Sequence, residues 1–149
     1  MGINKKIQNR TAKIGVIGLG YVGLPLAIEF IKAGFNVVGI DIDKKKTDLI
    51  NNGTNYIKDV DDKLLTKAVK EKKLTATTNF SNVQDLDSIS ICVPTPLKKQ
   101  KDPDISFIIS VMNKIKSYIH KDMAIILEST TYPGSTKELI LPYIQNRGF

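Results

Sequence analysis

The sequence contains a single cysteine, Cys92, and a single histidine, His120, among its 149 residues. One cysteine excludes a disulfide within the chain and any cluster of cysteine metal ligands. One histidine excludes metal sites built from several imidazoles and argues against most catalytic triads. Arginine occurs only at Arg10 and Arg147, so the side chains that most often read base edges are scarce. We therefore predict neither a metal site nor a base-reading surface.

Acidic residues are outnumbered, with 22 Lys and Arg against 15 Asp and Glu, which gives a formal net charge of +7. A positive balance suits anionic partners, which include nucleic acid but also the phosphates of a nucleotide or cofactor. The lysines are spread along the chain without an aromatic platform, so we interpret most of them as solvated surface. Neither nucleic acid nor a membrane is expected as a partner.

No hydrophobic run is long enough for a membrane helix, which needs about 20 apolar residues. The uncharged stretch 14–28 follows several basic residues, as in a signal peptide, but it is short and interrupted by glycines. A buried strand that runs into a tight turn explains this stretch better. We therefore expect a cytoplasmic protein.

Short apolar runs alternate with helical patterns along most of the chain. Strands are predicted at 13–18, 36–40, 74–77, 88–93 and 123–127. Helices are predicted at 22–33, 44–51, 61–70, 105–119 and 135–145, the last with an awkward Pro142 inside it. This alternation predicts an α/β fold, a doubly wound parallel sheet of the Rossmann type with helices on both faces.

The sequence also predicts the domain organisation of the chain. Residues 1–12 are polar and are expected to form a mobile N-terminal arm, and residues 13–149 the folded domain. Residues 98–103 form a charged loop. Because a complete dinucleotide fold has one more strand than the five predicted here, the sequence is expected to be truncated before that sixth strand.

A glycine-rich turn follows the first predicted strand and opens the first long helix. Gly18, Gly20 and Gly23 fit the pattern G-x-G-x-x-G, which is informative in this strand–turn–helix setting. Gly18 would allow the tight turn, Gly20 would let a pyrophosphate approach the backbone, and Gly23 would let the helix pack closely. The helix N-terminus would offer unpaired N–H groups to the anion.

An acidic residue, Asp41, lies about 20 residues after Gly20, at the end of the second predicted strand. There its carboxylate would accept hydrogen bonds from an adenosine ribose and repel a 2′-phosphate, which favours NAD over NADP. The neighbouring Lys44, Lys45 and Lys46 weaken this preference, because lysines could tolerate a phosphate. The alternative is that Asp41 only caps the next helix.

Two loops follow the fourth and fifth predicted strands, Val93–Pro96 and Glu128–Gly134. Ligands bind beyond the carboxyl ends of strands in open α/β sheets, so both loops point towards the crevice of the glycine turn. The alternative is that their threonines and prolines are ordinary turn residues.

Four sequence blocks, GLGYVGLPLA, GIDID, CVPTPL and LESTTYPGSTKE, resemble the UDP-glucose/GDP-mannose dehydrogenase family of nucleotide-sugar 6-dehydrogenases. The residues of the last two blocks are most similar to those of the branch that acts on UDP-N-acetylhexosamines. The resemblance implies an NAD-dependent oxidation of the sugar C6 alcohol, through a cysteine-bound thioester, to a uronic acid with two NAD. A nucleotide-sugar partner and a homo-oligomer are implied only for the full-length enzyme.

Carried over to this sequence, the resemblance gives Tyr21 and Val22 backbone contacts to the pyrophosphate and places Asp41 and Lys46 at the adenine ribose. Thr95 would line the cofactor site, and Thr130 would support the reaction near the nicotinamide, while Glu128 is the least certain. The complete predicted cofactor site is Gly18, Gly20, Tyr21, Val22, Gly23, Asp41, Lys46, Val93, Pro94, Thr95, Ser129 and Thr130.

The catalytic cysteine of the resembled family, its dimerisation segment and its nucleotide-sugar domain would lie downstream of residue 149. Cys92 lies in an apolar strand and is expected to be an inert core residue, and His120 is expected to provide a favourable charge at a helix end. The chain alone is therefore expected to bind NAD without turnover. Two alternatives stay open: another dehydrogenase, of the hydroxyacyl-CoA or hydroxyisobutyrate type, and a non-catalytic nucleotide-binding module.

Overall fold

The computed structural model describes residues 2–99 and 102–149. Five strands run at β1 (Lys13–Ile17), β2 (Asn36–Ile40), β3 (Leu74–Thr77), β4 (Ser88–Ile91) and β5 (Ala124–Leu127). Helices run at α1 (Ile3–Gln8), α2 (Gly23–Lys32), α3 (Lys44–Asn51), α4 (Asp62–Lys70), α5 (Ser106–Ile115), α6 (Ser135–Leu139) and α7 (Leu141–Gln145), with a 3-10 helix at Phe80–Asp85. Met1 of the predicted arm and Gln100 and Lys101 of the predicted charged loop lie outside the described residues.

The strands form one parallel sheet in the order β3-β2-β1-β4-β5. This is the order of the doubly wound fold, so the predicted Rossmann architecture is confirmed. In the register, Ile17 lies beside Ile40 of β2 and Ile91 of β4. Consequently the chain leaves all three central strands at the same edge of the sheet, where the strand order reverses.

Buried side chains cover both faces of the sheet, as its parallel strands require. On one face, Ile14 and Val16 pack with Leu24 of α2 and Leu65 of α4. A second cluster covers the other face and contains Ile17, Ile40, Ile89, Ile91, Ile108, Met112 and Leu139. Because β1 contributes to both clusters, its position is fixed from two sides, and so is the turn that follows it.

The long helix before β2 ends as its sequence predicts. Gly34 has a φ of 93°, a left-handed conformation that glycine adopts without a steric penalty. The Phe35 N–H donates to the Phe30 carbonyl at 3.0 Å and the Gly34 N–H to the Ile31 carbonyl at 2.9 Å. These bonds satisfy the last carbonyls of α2 and turn the chain into β2.

The predicted N-terminal arm contains α1, and an ion pair joins Lys6 to Asp87 immediately before β4. The other Asp87 oxygen accepts a hydrogen bond from the Lys13 N–H at 2.9 Å. Ala12, the last residue of the predicted arm, already belongs to the core. The mobility of residues 1–12 stays a prediction.

Several element boundaries differ from the sequence-based prediction, most clearly at α5 and in the C-terminal helix. The α5 helix ends at Ile115, so His120 is not at its end, and the two ring nitrogens instead lie 2.9 Å from the carbonyl oxygens of Leu86 and Lys121. The predicted C-terminal helix is divided at Ile140, because Pro142 cannot continue a helix without disturbing the preceding turn. The 3-10 helix was not predicted.

Among the described residues, no helix combines the length and the apolar character needed to cross a bilayer.

Candidate cofactor-binding site

A cavity of about 780 Å³ lies at the carboxyl edge of the central strands. Its size falls in the range of small-molecule and cofactor sites. Its walls come from the turn after β1, the end of β2, and the loops after β4 and β5. Of the residues predicted from the sequence, the following line it: Gly18, Gly20, Tyr21, Val22, Asp41, Lys46, Val93, Pro94, Thr95, Ser129 and Thr130. The structure therefore brings the separate motifs to one place.

The three glycines of the turn occupy very different surroundings. Gly18 has a φ of 93°, and a Cβ there would lie 2.6 Å from the Cys92 carbonyl oxygen. A Cβ on Gly23 would lie 1.7 Å from the Gly18 carbonyl oxygen, so only glycine lets α2 start so close to the turn. Gly20 has nothing within 4 Å of its Cβ position. Gly18 and Gly23 therefore shape the turn, and Gly20 keeps its outer surface open.

Backbone donors are exposed along this open surface. Within the described part of the chain, the N–H groups of Gly20, Tyr21 and Val22 donate no hydrogen bond. Tyr21 and Val22 are 78% and 57% exposed, so this segment of the turn lies at the surface. The N–H groups precede α2, whose N-terminus carries a partial positive charge. The arrangement can bind an anionic group through backbone hydrogen bonds.

Asp41 joins the glycine turn to the end of β2. One carboxylate oxygen, Oδ2, accepts a hydrogen bond from the Leu19 N–H at 2.8 Å, and Oδ1 accepts one from the Asp43 N–H at 2.9 Å. The N-cap of α3 is Asp43, whose side chain accepts from the Lys45 N–H. Asp41 therefore does not cap this helix. Its carboxylate is held at the cavity wall, with lone pairs left for further donors.

The three lysines that follow Asp41 have different positions. Lys46 lines the cavity, with its Nζ 3.8 Å from Asp41 Oδ2. Lys44 forms an ion pair with Asp48 at 2.6 Å on the exposed side of α3. Of the three, only Lys46 lines the cavity wall, so the positive charge near Asp41 is smaller than the sequence suggests.

Hydrogen bonds tie the loops after β4 and β5 together. The Thr95 hydroxyl donates to the Thr130 carbonyl oxygen at 2.6 Å, and the Ser129 hydroxyl donates to the Val93 carbonyl oxygen at 2.8 Å. These two hydroxyl protons therefore fix the relative position of the loops. The Thr130 side chain and Glu128 also line the cavity, beside the end of β5.

Cys92 lies below the glycine turn and is buried. Burial, together with the Glu128 carboxylate, raises the pKa of its thiol to about 12. A thiol with such a pKa is almost entirely protonated near neutral pH and is a poor nucleophile. The geometry therefore agrees with an inert core residue, and no group of three or more potential metal ligands occurs within residues 2–99 and 102–149.

Sequence reasoning missed several residues of the cavity wall. Tyr56 comes from the loop between α3 and α4, and Phe80 from the 3-10 helix; neither carries a local motif. Phe107, Ser110 and Lys114 lie on α5 at helical spacing beside its buried face, and this spacing could have identified them. The Lys114 ammonium lies 5.2 Å from the centre of the Phe80 ring, so the two side chains close this end of the cavity.

A family model, two curated relatives and a solved structure point to the same group of enzymes. A family model described as "UDP-glucose/GDP-mannose dehydrogenase family, NAD binding domain" matches residues 12–148. The chain is 36% identical to a UDP-N-acetyl-D-glucosamine 6-dehydrogenase of Pseudomonas aeruginosa, over 89% of this chain and 31% of that protein. It is 37% identical to a GDP-mannose 6-dehydrogenase of Pseudomonas savastanoi pv. phaseolicola, over 90% of this chain and 32% of that protein.

Among solved structures, the UDP-N-acetyl-mannosamine dehydrogenase of Staphylococcus aureus superposes with a TM-score of 0.84 at 32% identity. The superposition covers 93% of this chain and 34% of that one. The chain thus spans about a third of the length of the relatives that it matches.

Proposed function

Since the chain belongs to the UDP-glucose/GDP-mannose dehydrogenase family, whose NAD-binding domain it matches over residues 12–148, we propose that its cavity binds NAD across the carboxyl ends of the central strands. The observation that carries this proposal is the open surface at Gly20. Backbone N–H groups that have no partner among the described residues surround it, and the buried carboxylate of Asp41 lies beside it. Donors for a pyrophosphate and an acceptor for a ribose are therefore adjacent.

The pyrophosphate would accept hydrogen bonds from the N–H groups of Gly20, Tyr21 and Val22. No Cβ stands between the Gly20 backbone and the cavity, so phosphate oxygens can come within hydrogen-bond distance. The α2 N-terminus adds a favourable electrostatic contribution because the ligand is an anion.

The adenosine ribose would donate its hydroxyl groups to Asp41, with Lys46 beside it. A 2′-phosphate at this position would meet the buried carboxylate, whose charge repels it. Lys46 reduces this repulsion without removing it, because its Nζ is 3.8 Å away and 37% of its side chain is exposed. The site therefore favours NAD over NADP.

The nicotinamide would lie at the loops after β4 and β5, near Thr95 and Thr130. Bound there, NAD would supply a hydride acceptor. Val93, Pro94 and the hydrogen-bonded pair of loops would hold the ring in place and exclude water from one side. Thr130 would support the reaction by contact with the ring or with a water molecule.

For the whole protein, we propose the oxidation of a nucleotide sugar at its C6 alcohol to the uronic acid, in the cytoplasm. In that reaction the sugar would lose two hydrides, one to each of two NAD, and water would supply the second carboxylate oxygen. The CVPTPL and LESTTYPGST blocks favour a UDP-N-acetylhexosamine as the substrate. UDP-glucose and GDP-mannose are the alternative substrates.

The 149-residue chain by itself should bind NAD but produce no NADH from UDP-sugars. Its single cysteine is buried and its pKa is raised to about 12, so the chain offers no thiolate that could form a thioester. The measurement is NADH absorbance over time with UDP-N-acetylglucosamine, UDP-N-acetylmannosamine and UDP-glucose. Sustained NADH production by the purified chain would contradict this part of the proposal.

Asp41→Asn should weaken NAD binding by roughly 10- to 100-fold, the effect of replacing a charged acceptor of a ribose hydroxyl by a neutral one. NADP binding should change little or improve, because the repulsive charge is removed. Isothermal titration of both cofactors measures the ratio of the two affinities. Asp48→Asn is the matched control, since Asp48 is an exposed acid paired with Lys44 outside the cavity. An unchanged ratio in Asp41→Asn would exclude the proposed ribose contact.

A further inference from the structure

The peptide groups on both sides of Leu19 are held by the side chains of Asp41, which is buried, and Tyr56, which is partly buried. The Leu19 N–H donates to Asp41 Oδ2 at 2.8 Å, and the Leu19 carbonyl oxygen accepts from the Tyr56 hydroxyl at 2.7 Å. These bonds reach the middle of the glycine turn from two different segments, the end of β2 and the loop before α4. Leu19 itself has no exposed surface, so the packing of its side chain in the core also restrains this part of the turn.

Peptide geometry connects the second of these bonds to the phosphate-binding surface. In a trans peptide the C=O of one residue and the N–H of the next are coplanar and point in opposite directions. A fixed Leu19 carbonyl therefore fixes the direction of the Gly20 N–H. Because a glycine follows this peptide, its rotation would otherwise meet little steric resistance.

We propose that Tyr56 is a positioning residue for the cofactor: by holding the Leu19 carbonyl, it aims the Gly20 N–H at the pyrophosphate. This inference rests on the proposed NAD site. The single hydroxyl proton of Tyr56 is already donated to the Leu19 carbonyl oxygen, so it is not available to the phosphates. Tyr56 acts through a single backbone carbonyl, and it lowers the entropy that the turn would lose when the ligand binds.

The surroundings of Tyr56 suit this role. Burial raises the pKa of its phenol above the ordinary value, and the carboxylates of Asp41 and Asp43 raise it further. The hydroxyl therefore stays protonated and donates throughout the neutral and mildly alkaline range. The loop that carries Tyr56 is also fixed, since the Asn55 side chain donates to the Ile57 and Val60 carbonyl oxygens at 3.0 and 2.7 Å.

Tyr56→Phe tests the proposal because it removes one hydroxyl and keeps the ring. Binding of NAD and of ADP to the 149-residue chain should weaken by roughly three- to tenfold, the effect of one lost hydrogen bond. Adenosine lacks phosphates, so its binding should stay within a factor of two. In amide NMR spectra of the ligand-free variant, the Gly20 and Tyr21 signals should broaden as the peptide samples more than one orientation. Unfolding midpoints of both proteins report any general destabilisation.

Tyr143→Phe is the matched control. It likewise removes one tyrosine hydroxyl and keeps the ring. The Tyr143 hydroxyl lies 3.5 Å from Asn113 Oδ1 of α5, and Tyr143 does not line the cavity. The control should match the original chain in all measurements. Equal loss for adenosine and ADP, or unchanged Gly20 and Tyr21 signals, would overturn the positioning role. If the original chain bound no NAD, the proposed function would fail instead, and the amide signals alone would decide the role of Tyr56.

Discussion

Gly23→Ala is expected to lower the free energy of unfolding by at least about 3 kcal/mol, the upper end for an added methyl group in a packed interior. The new Cβ would lie 1.7 Å from the Gly18 carbonyl oxygen and 3.3 Å from the Cys92 Cβ. A backbone oxygen cannot turn aside as a flexible side chain can. The Gly18 backbone is also packed closely on the Cys92 peptide group, whose carbonyl oxygen lies 2.6 Å from the position a Gly18 Cβ would take, so Gly18 has little room to move away. Urea denaturation followed by circular dichroism measures the loss.

Gly20→Ala provides the internal comparison for stability. Nothing lies within 4 Å of the Gly20 Cβ position, and its φ is outside the left-handed region. Its free energy of unfolding should therefore stay within about 1 kcal/mol of the original. If Gly23→Ala were as stable as Gly20→Ala, the result would contradict the close contact between Gly23 and the Gly18 carbonyl group.

Gly20→Ala should instead reduce NAD affinity by about 100-fold or more. The methyl group would occupy the space through which the phosphate oxygens approach the backbone. Two charge-assisted hydrogen bonds at about 1.5 kcal/mol or more each are at risk, which corresponds to that factor. Isothermal titration with NAD measures the change.

Gly2→Ala is the matched control for this experiment. Its Cβ position also has no neighbour within 4 Å, and it precedes α1, outside the cavity wall. It should bind NAD as the original chain does. NAD binding by Gly20→Ala within a few-fold of the control would contradict the proposed approach of the pyrophosphate. Gly23→Ala thus tests the packing of the turn, and Gly20→Ala tests its binding of the pyrophosphate.

The sheet could be predicted from the sequence because its signals are local. Each parallel strand is buried on both faces, so it appears as a short apolar run such as Asn36–Ile40, which the structure reproduces. The observed strand order β3-β2-β1-β4-β5 is the one that the predicted doubly wound fold implies. The convergence of the turn, Asp41 and the two later loops follows from the same order.

The missed features depend on tertiary contacts. Tyr56 reaches the turn from a loop 37 positions along the chain, and no spacing or motif marks this contact. The 3-10 helix at Phe80–Asp85 has no apolar period to reveal it. His120 was expected at the end of a helix because Ile119 continues the apolar period of α5, although the helix ends at Ile115. Periodicity identified buried positions here and did not identify where the helix ends.

The structure decides between the two roles that the sequence allows for Asp41. An acid after a strand can cap the next helix or face a ligand, and the sequence alone allows both. The N-cap belongs to Asp43, and both Asp41 oxygens accept backbone N–H groups at the cavity wall. Asp41 is therefore not the cap of α3, and its remaining lone pairs are available to the ribose hydroxyl groups.

The central claim is that this chain binds NAD in preference to NADP at the glycine turn. Isothermal titration of the purified 149-residue chain with each cofactor, at the same salt concentration, tests it most directly. The account predicts saturable binding of one NAD per chain, and NADP binding at least about tenfold weaker because of the Asp41 carboxylate. Absence of NAD binding by the folded chain, or equal affinity for the two cofactors, would contradict it.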